Sequence, residues 1–229
     1  MQKEINSLKR RSIFAGILFL VQMIAASVSH SAILVPILGK SDFLANVSAN
    51  SNKVIFAMLL DLVCGLSVFG ISVILFPILR KFSESIAFWY VGLRLNEWIC
   101  AVISGVFLLT ILSISKEYVL VGTPEHSYLQ TMGNYFLEAR GITRTLMLLG
   151  FCFSASLFYY LLFKTNLLPR FISIWGLTGV LLLFIEIMSN IFGHSLGGII
   201  IMLPMGLNEI FLGIWLMAKG FNSSAITSS

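Results

Sequence analysis

Long apolar runs separated by short polar segments dominate this chain. A bilayer core of about 30 Å is crossed by roughly 20 helical residues. The pattern predicts transmembrane helices over about residues 12–38, 54–79, 85–113, 141–163, 170–191 and 198–218. Several runs exceed that length, which favours tilted or protruding helices. We expect an all-α membrane protein, with one domain over residues 1–220 built as a bundle of six transmembrane helices.

Basic residues between the runs predict the orientation of the chain, because cytoplasmic loops carry an excess of Lys and Arg. One side would hold Lys3, Lys9, Arg10, Arg11, Arg80, Lys81, Lys164, Arg170 and Lys219. The other side would hold Lys40, Lys53, Lys116, Arg140 and Arg144 in longer loops. Both termini are therefore expected in the cytoplasm. A cleaved signal peptide is the alternative for residues 1–30, but the first run is too long for one.

Two segments outside the apolar runs differ from the other loops in length or composition. Residues 116–140 contain Gly122 and Pro124, followed by a stretch of mixed polarity. They are expected to form an outer loop or an interfacial helix that covers the outer side of the bundle. Residues 221–229 are rich in serine, and we expect a disordered tail there.

Charged residues inside the third and sixth runs are the first candidates for a functional site. Arg94 and Glu97 are three residues apart and share one helix face. Their tripeptide Leu-Asn-Glu returns at Leu207, Asn208 and Glu209. Glu209 lies beside glycines that recur every seven residues, and small residues mark helix contacts in lipid. Both charged faces should therefore point into the bundle.

The second, fourth and fifth runs add polar residues on the predicted outer half. They are Asp61, the pair Arg140 and Arg144, and the pair Glu186 and Asn190. An ionised side chain at mid-bilayer costs about 2.5–3.5 kcal/mol, so these groups must pair or meet a ligand. The predicted binding set around an outward-opening polar cavity is Arg94, Glu97, Glu209, Asn208, Glu186, Asn190, Asp61 and Arg144. Because acids outnumber bases in these runs, we expect a protonated acid or a bound cation.

Three functional hypotheses follow from these residues. The leading one is binding or transport of a small molecule, a cation or a lipid. The second is a lipid-modifying intramembrane enzyme, with or without a metal, that uses Asp61, His30, His194 or Glu186. The third is a structural or regulatory membrane partner whose buried charges form closed pairs. The Leu-Asn-Glu recurrence also indicates a 3+3 inverted pseudo-repeat, an organisation found in transporters.

Several functional classes are not supported by the sequence. It contains no HExxH, GxSxG or phosphate-loop motif. The cysteines and histidines lack metal-ligand spacing, so no metal site is predicted. The net charge of +5 reflects loops that orient the chain, and no nucleic acid partner is expected. The sequence does not identify a cofactor, and the expected partner is membrane lipid.

A family resemblance lies in FYYLLFKTNLLPRFISIWGLTG, residues 158–179. This stretch resembles the bacterial multi-helix membrane proteins grouped as the domain of unknown function 4386 family. LNEIFLGIWLMAKGFN, residues 207–222, is similar to the last helix of that family, and SIAFWYVGLRLNEWICAV, residues 85–102, to its third. The resemblance implies a small multi-pass protein of a bacterial plasma membrane. It brings no activity, cofactor or catalytic residue.

Overall fold

Helices account for all regular structure in the part of the chain that the structure describes. The computed structural model describes residues 2–121 and 123–222, so most of the predicted tail lies outside the described residues. Within these two ranges, six helices are long and apolar enough to cross a membrane. The predicted all-α membrane fold with six such helices is therefore confirmed.

The helices follow the apolar runs and extend beyond several of them. The first helix, α1 (Gln2–Ser27), is continued by a π-helical segment (Val28–Leu34) and one further turn (Val35–Leu38). The full order is α1 (Gln2–Ser27), α2 (Phe43–Ala49), α3 (Ser51–Leu79), α4 (Glu84–Leu120), α5 (Thr123–Thr165), α6 (Arg170–Ile191) and α7 (Ile199–Ala218). The end of the bundle that carries both chain ends is called the terminal face, and the end that carries α2 is called the loop face.

Residues 116–140 differ from the expected separate loop or interfacial helix. Helix α4 continues to Leu120 and α5 begins at Thr123, so this segment belongs to two long helices. The helical spacing of Leu129, Met132 and Phe136 supports this continuation, because all three pack into an apolar cluster. The short helix α2 covers the loop face instead, and Asp42 accepts a hydrogen bond from the Ala45 N–H at its first turn.

The six long helices form a closed ring. Each packs mainly against two others, in the order α1, α3, α4, α5, α6, α7 and back to α1. The contact that closes the ring is a close backbone approach between α1 and α7. A Cβ atom on Gly16 would lie 2.6 Å from the carbonyl oxygen of Gly213, so only glycine fits at this crossing.

Two apolar clusters occupy the inside of the ring. One includes Phe19, Leu75 and Leu216 and fills the half towards the terminal face. The other includes Leu34, Leu44 and Leu108 and fills the end under α2. On α1, α3, α4 and α5 the chain passes from one cluster to the other through a stretch that carries polar side chains. The fold therefore places a polar layer between two apolar closures.

Candidate functional site

The polar layer takes side chains from five of the six long helices. It consists of Gln22, Ser29, His30, Asp61, Cys64, Arg94, Glu97, Arg140, Arg144, Ser154 and Glu209. Cys64 follows Asp61 by three residues on α3. Asp61, Glu97, Glu209 and Arg94 all lie within electrostatic range of Cys64. Charged groups from three different helices therefore approach one region of α3.

Arg94 and Glu97 form a buried ion pair on α4. Arg94 Nη1 donates to Glu97 Oε2 at 3.2 Å, and the arginine is 1% exposed. The guanidinium also lies between the rings of Tyr90 and Phe151, at 5.2 and 5.1 Å from their centroids. Ser154 on α5 donates to the other oxygen of Glu97 at 2.9 Å. The three-residue spacing sets up this pair, and the neighbouring helix completes it.

Glu209 hydrogen-bonds only to a neutral group in the described ranges, although Arg94 acts on it electrostatically without forming an ion pair. Gln22 Nε2 on α1 donates to Glu209 Oε1 at 3.2 Å, which links α1 to α7. Glu209 is buried, with only 7% of its surface exposed. Even so, no cation among residues 2–121 and 123–222 forms an ion pair with its carboxyl group. The Oε1 atom of Gln22 has no hydrogen-bond partner in the same ranges. An acid and an amide oxygen therefore face the interior without a positive group bonded to them.

Asp61 and Arg140 form a second ion pair nearer the loop face. Arg140 Nη2 donates to Asp61 Oδ2 at 3.0 Å, and Ser29 donates to the other oxygen at 2.5 Å. The Asp61 side chain is 20% exposed and the Arg140 side chain 11%. The pair of Arg94 and Glu97 is only 2% and 6% exposed. Exposure in the polar layer therefore decreases from the loop face towards the middle of the bundle.

Arg144 contacts a neutral partner as well. Its Nη1 lies 2.7 Å from Nε2 of His30, and the imidazole must accept because a guanidinium only donates. His30 lies in the π-helical segment, where the Val35 N–H bonds to the His30 carbonyl five residues back. Pro36 follows and has no N–H for the helical ladder. Such segments are frequent at functional sites, and here one presents His30 and Ser29 to the polar layer.

Glu186 and Asn190 do not join the polar layer. Glu186 accepts hydrogen bonds from the side chains of Asn190 and Ser195 and from the N–H groups of Leu196 and Gly198. These contacts hold the connection between α6 and α7 against the end of α6. Glu186 therefore caps a loop, and it is 0% exposed.

Asn208 lies between two helices. Its Nδ2 donates to the carbonyl oxygen of Ile172 at 3.1 Å, which ties α7 to α6. His194 is exposed in the connection between these helices. The residues suggested for an enzyme thus occupy two places: Asp61 and His30 lie in the polar layer, and Glu186 and His194 lie at the connection. No group of three or more His, Cys, Asp or Glu that could hold a metal ion occurs in the described ranges.

The charges of the polar layer are balanced. The acids are Asp61, Glu97 and Glu209, and the arginines are Arg94, Arg140 and Arg144. The expected excess of acids disappears because Glu186 belongs to the loop. The pairing is nevertheless uneven, because Glu209 and Arg144 are the two charged members that form no ion pair in the described ranges.

Gln22 and Ser154 belong to the polar layer although the sequence pattern did not single them out. Gln22 is the amide in the first run, and it bonds Glu209 across 187 positions of the chain. Ser154 is one of several serines in the fourth run, and it bonds Glu97. A glutamine inside an apolar helix was a usable signal, since a buried amide needs partners. Nothing local distinguishes Ser154 from its neighbouring serines.

Comparison with known proteins defines the family but no activity. No curated protein and no solved structure matches the chain. Residues 14–220 match the family described as Domain of unknown function (DUF4386). The resemblance carried by residues 158–179 is thereby confirmed. With most of its length matched, this integral membrane protein belongs to the DUF4386 family.

Proposed function

We propose that this protein binds a small zwitterionic solute in the polar layer and carries it across the plasma membrane, with both chain termini in the cytoplasm. The observation that carries the proposal is the unequal pairing of the charges. Arg94 with Glu97 and Arg140 with Asp61 are neutral pairs. Among the described residues, Glu209 and Arg144 form no ion pair, and each contacts a neutral polar group.

A zwitterion matches these two charges. An unpaired ion at mid-bilayer costs about 2.5–3.5 kcal/mol, so the site favours a partner for each of them. The ammonium group of the solute would face Glu209. Its acidic group would face Arg144, whose guanidinium suits a planar carboxylate. A solute that carries only one charge would leave the other residue unpaired, which gives the site its selectivity.

We expect a small solute because the polar layer is one layer between two apolar clusters. Glu209 and Asp61 both act electrostatically on Cys64, and Asp61 acts in the same way on Arg144. Glu209 and Arg144 therefore each lie within electrostatic range of residues 61–64 on α3. This arrangement favours a molecule of the size of an amino acid over a polymer.

The graded exposure supports entry from the loop face. A solute arriving there meets Arg144 and the more exposed Asp61 before it reaches Glu209. The apolar cluster under α2 closes this route, so passage requires a rearrangement of the loop face. The π-helical segment beneath that cluster is a suitable hinge, because its hydrogen bonds can return to the α-helical register. A 3+3 relation between the two halves of the ring would supply the matching opening on the other face.

A series of zwitterions of different lengths tests binding. Thermal unfolding of the purified protein would be followed with glycine, β-alanine, γ-aminobutyrate and taurine, and with ethylamine and propionate as single-charge analogues. We expect one zwitterion to stabilise the protein, by about 2.7 kcal/mol at a concentration one hundred times its Kd. The length of the best zwitterion reports the separation of the two charges.

Two variants and two matched controls link the effect to the site. Glu209→Gln and Arg144→Gln should each abolish the stabilisation. Glu117→Gln and Arg80→Gln, at exposed positions, should preserve it. Counterflow of the best zwitterion into proteoliposomes then tests transport. If no zwitterion surpasses the single-charge analogues, or if both site variants keep the stabilisation, the proposal fails.

The closed pairs also favour a second candidate, a structural membrane protein without a ligand. Buried ion pairs can serve the specificity of helix packing alone. In that case Glu209→Gln removes an unpaired charge and should stabilise the protein, and no solute should shift its unfolding. The same measurements therefore separate the two candidates.

A further inference from the structure

A pocket of about 360 Å³ opens at the terminal face, apart from the polar layer. It lies between the turn that joins α5 to α6 and the end of α7, and its lining includes Asn166, Arg170, Trp215 and Lys219. We propose that this pocket binds the phosphate-bearing headgroup of an anionic phospholipid.

The pocket has a defined backbone frame. Asn166 and Gly220 have positive φ angles of 53° and 71°, which turn the chain sharply on both sides of the opening. The N–H of Asn222 donates to the carbonyl of Leu167 at 2.9 Å and ties the segment after α7 to the α5–α6 turn. Phe221 is 6% exposed and anchors this segment in the apolar core. The α5–α6 turn and the segment after α7, which form the two walls of the pocket, are therefore held together.

Two cations face the opening without a carboxylate partner in the described ranges. Arg170 Nε donates to Asn166 Oδ1 at 2.8 Å, and its guanidinium lies 5.5 Å from the ring centroid of Phe163. These contacts hold the side chain and leave its terminal nitrogens for an acceptor. Lys219 adds a second positive charge on the α7 side. An arginine fork beside a lysine suits a phosphate group.

The surroundings of the pocket fit a lipid rather than a free anion. Trp215 lines the pocket and packs with Phe171 and Phe211 at ring-centroid distances of 6.1 and 6.0 Å. Phe171 is 51% exposed and Ile214 is 53% exposed, so an apolar surface continues from the pocket along the two helices. Tryptophan at the membrane interface and basic pockets between helices are both features of headgroup sites. Acyl chains would lie along this surface while the phosphate occupies the pocket.

Native mass spectrometry of the full chain tests the site by titration with phosphatidylglycerol and phosphatidylcholine. The wild-type protein should bind phosphatidylglycerol more tightly. The double variant Arg170→Gln/Lys219→Gln should lose about thirtyfold in affinity for phosphatidylglycerol, at about 1 kcal/mol for each basic residue. Its affinity for phosphatidylcholine should not change.

Controls separate charge, fold and ligand source. Lys53→Gln/Lys116→Gln removes two exposed charges elsewhere and should keep the preference, as should the charge-preserving variant Arg170→Lys/Lys219→Arg. Equal affinity of the wild-type protein for the two lipids would overturn the proposal. So would unchanged phosphatidylglycerol affinity in the glutamine variant. Saturation by inorganic phosphate without any lipid preference would assign the pocket to a free anion and would also overturn it.

Discussion

Replacing Arg94 with methionine removes one member of the buried ion pair and leaves the other in place. Arg94 is 1% exposed, and Glu97, 5% exposed, would keep only the hydrogen bond from Ser154. Breaking a buried pair from one side costs about 3–5 kcal/mol, because the remaining charge is uncompensated. For a chain of this size, such a loss lowers the melting temperature by on the order of 10 °C.

The double variant Arg94→Met/Glu97→Leu should recover most of this loss. Both charges are then gone, and the Ser154 hydroxyl can donate fully to the Phe151 carbonyl, which lies 3.0 Å away. Replacing a buried pair by apolar side chains of similar volume is often neutral. Arg80→Met, at an exposed arginine, controls for the loss of charge alone.

Unfolding followed by circular dichroism in detergent measures the effect. The reasoning requires the single variant to be less stable than the double variant by at least about 2 kcal/mol. Equal stability of the two would show that the charge left on Glu97 carries no penalty. The polar layer would then be hydrated or otherwise compensated, and the electrostatic basis of the site would be refuted.

Two further predictions concern the ring and its connection. Gly16→Val should lower the free energy of unfolding by about 1–3 kcal/mol, because the new Cβ would lie 2.6 Å from the Gly213 carbonyl oxygen. In the same unfolding assay Gly92→Ala should be tolerated, because a Cβ at Gly92 meets nothing within 4 Å. Glu186→Ala should accelerate amide hydrogen exchange at Gly198, whose N–H loses its 3.0 Å acceptor; unchanged exchange there would contradict the loop-capping role.

The sequence was sufficient for everything that depends on local hydrophobicity. Long apolar runs that cross lipid must be helical, because each backbone N–H and C=O group must find its hydrogen-bond partner within the same segment. The three-residue spacing of Arg94 and Glu97 likewise predicts one shared face, and the two side chains pair there.

Local sequence patterns could not distinguish the structural roles of the buried acids. Glu97, Glu186 and Glu209 all stand in apolar runs, yet one forms an ion pair, one caps a connection and one meets an amide. In a soluble helix the apolar face would indicate which side is buried. In lipid both sides are apolar, so the hydrophobic period carries little information about orientation.

Tertiary structure decided which polar groups meet, because their partners are distant in the chain. Asp61 and Arg140 are 79 residues apart, and Gln22 and Glu209 are 187 apart. Closure of the helix ring brings these pairs together, and it depends on a glycine contact between the first and last long helices. The sequence by itself therefore determined that the described chain has six helices long enough to cross a membrane and that charges are buried among them. The packing of those helices alone decided that Glu209 and Arg144 form no ion pair in the described part of the chain, since electrostatic pairing acts over a few ångströms between side chains that only the fold makes neighbours.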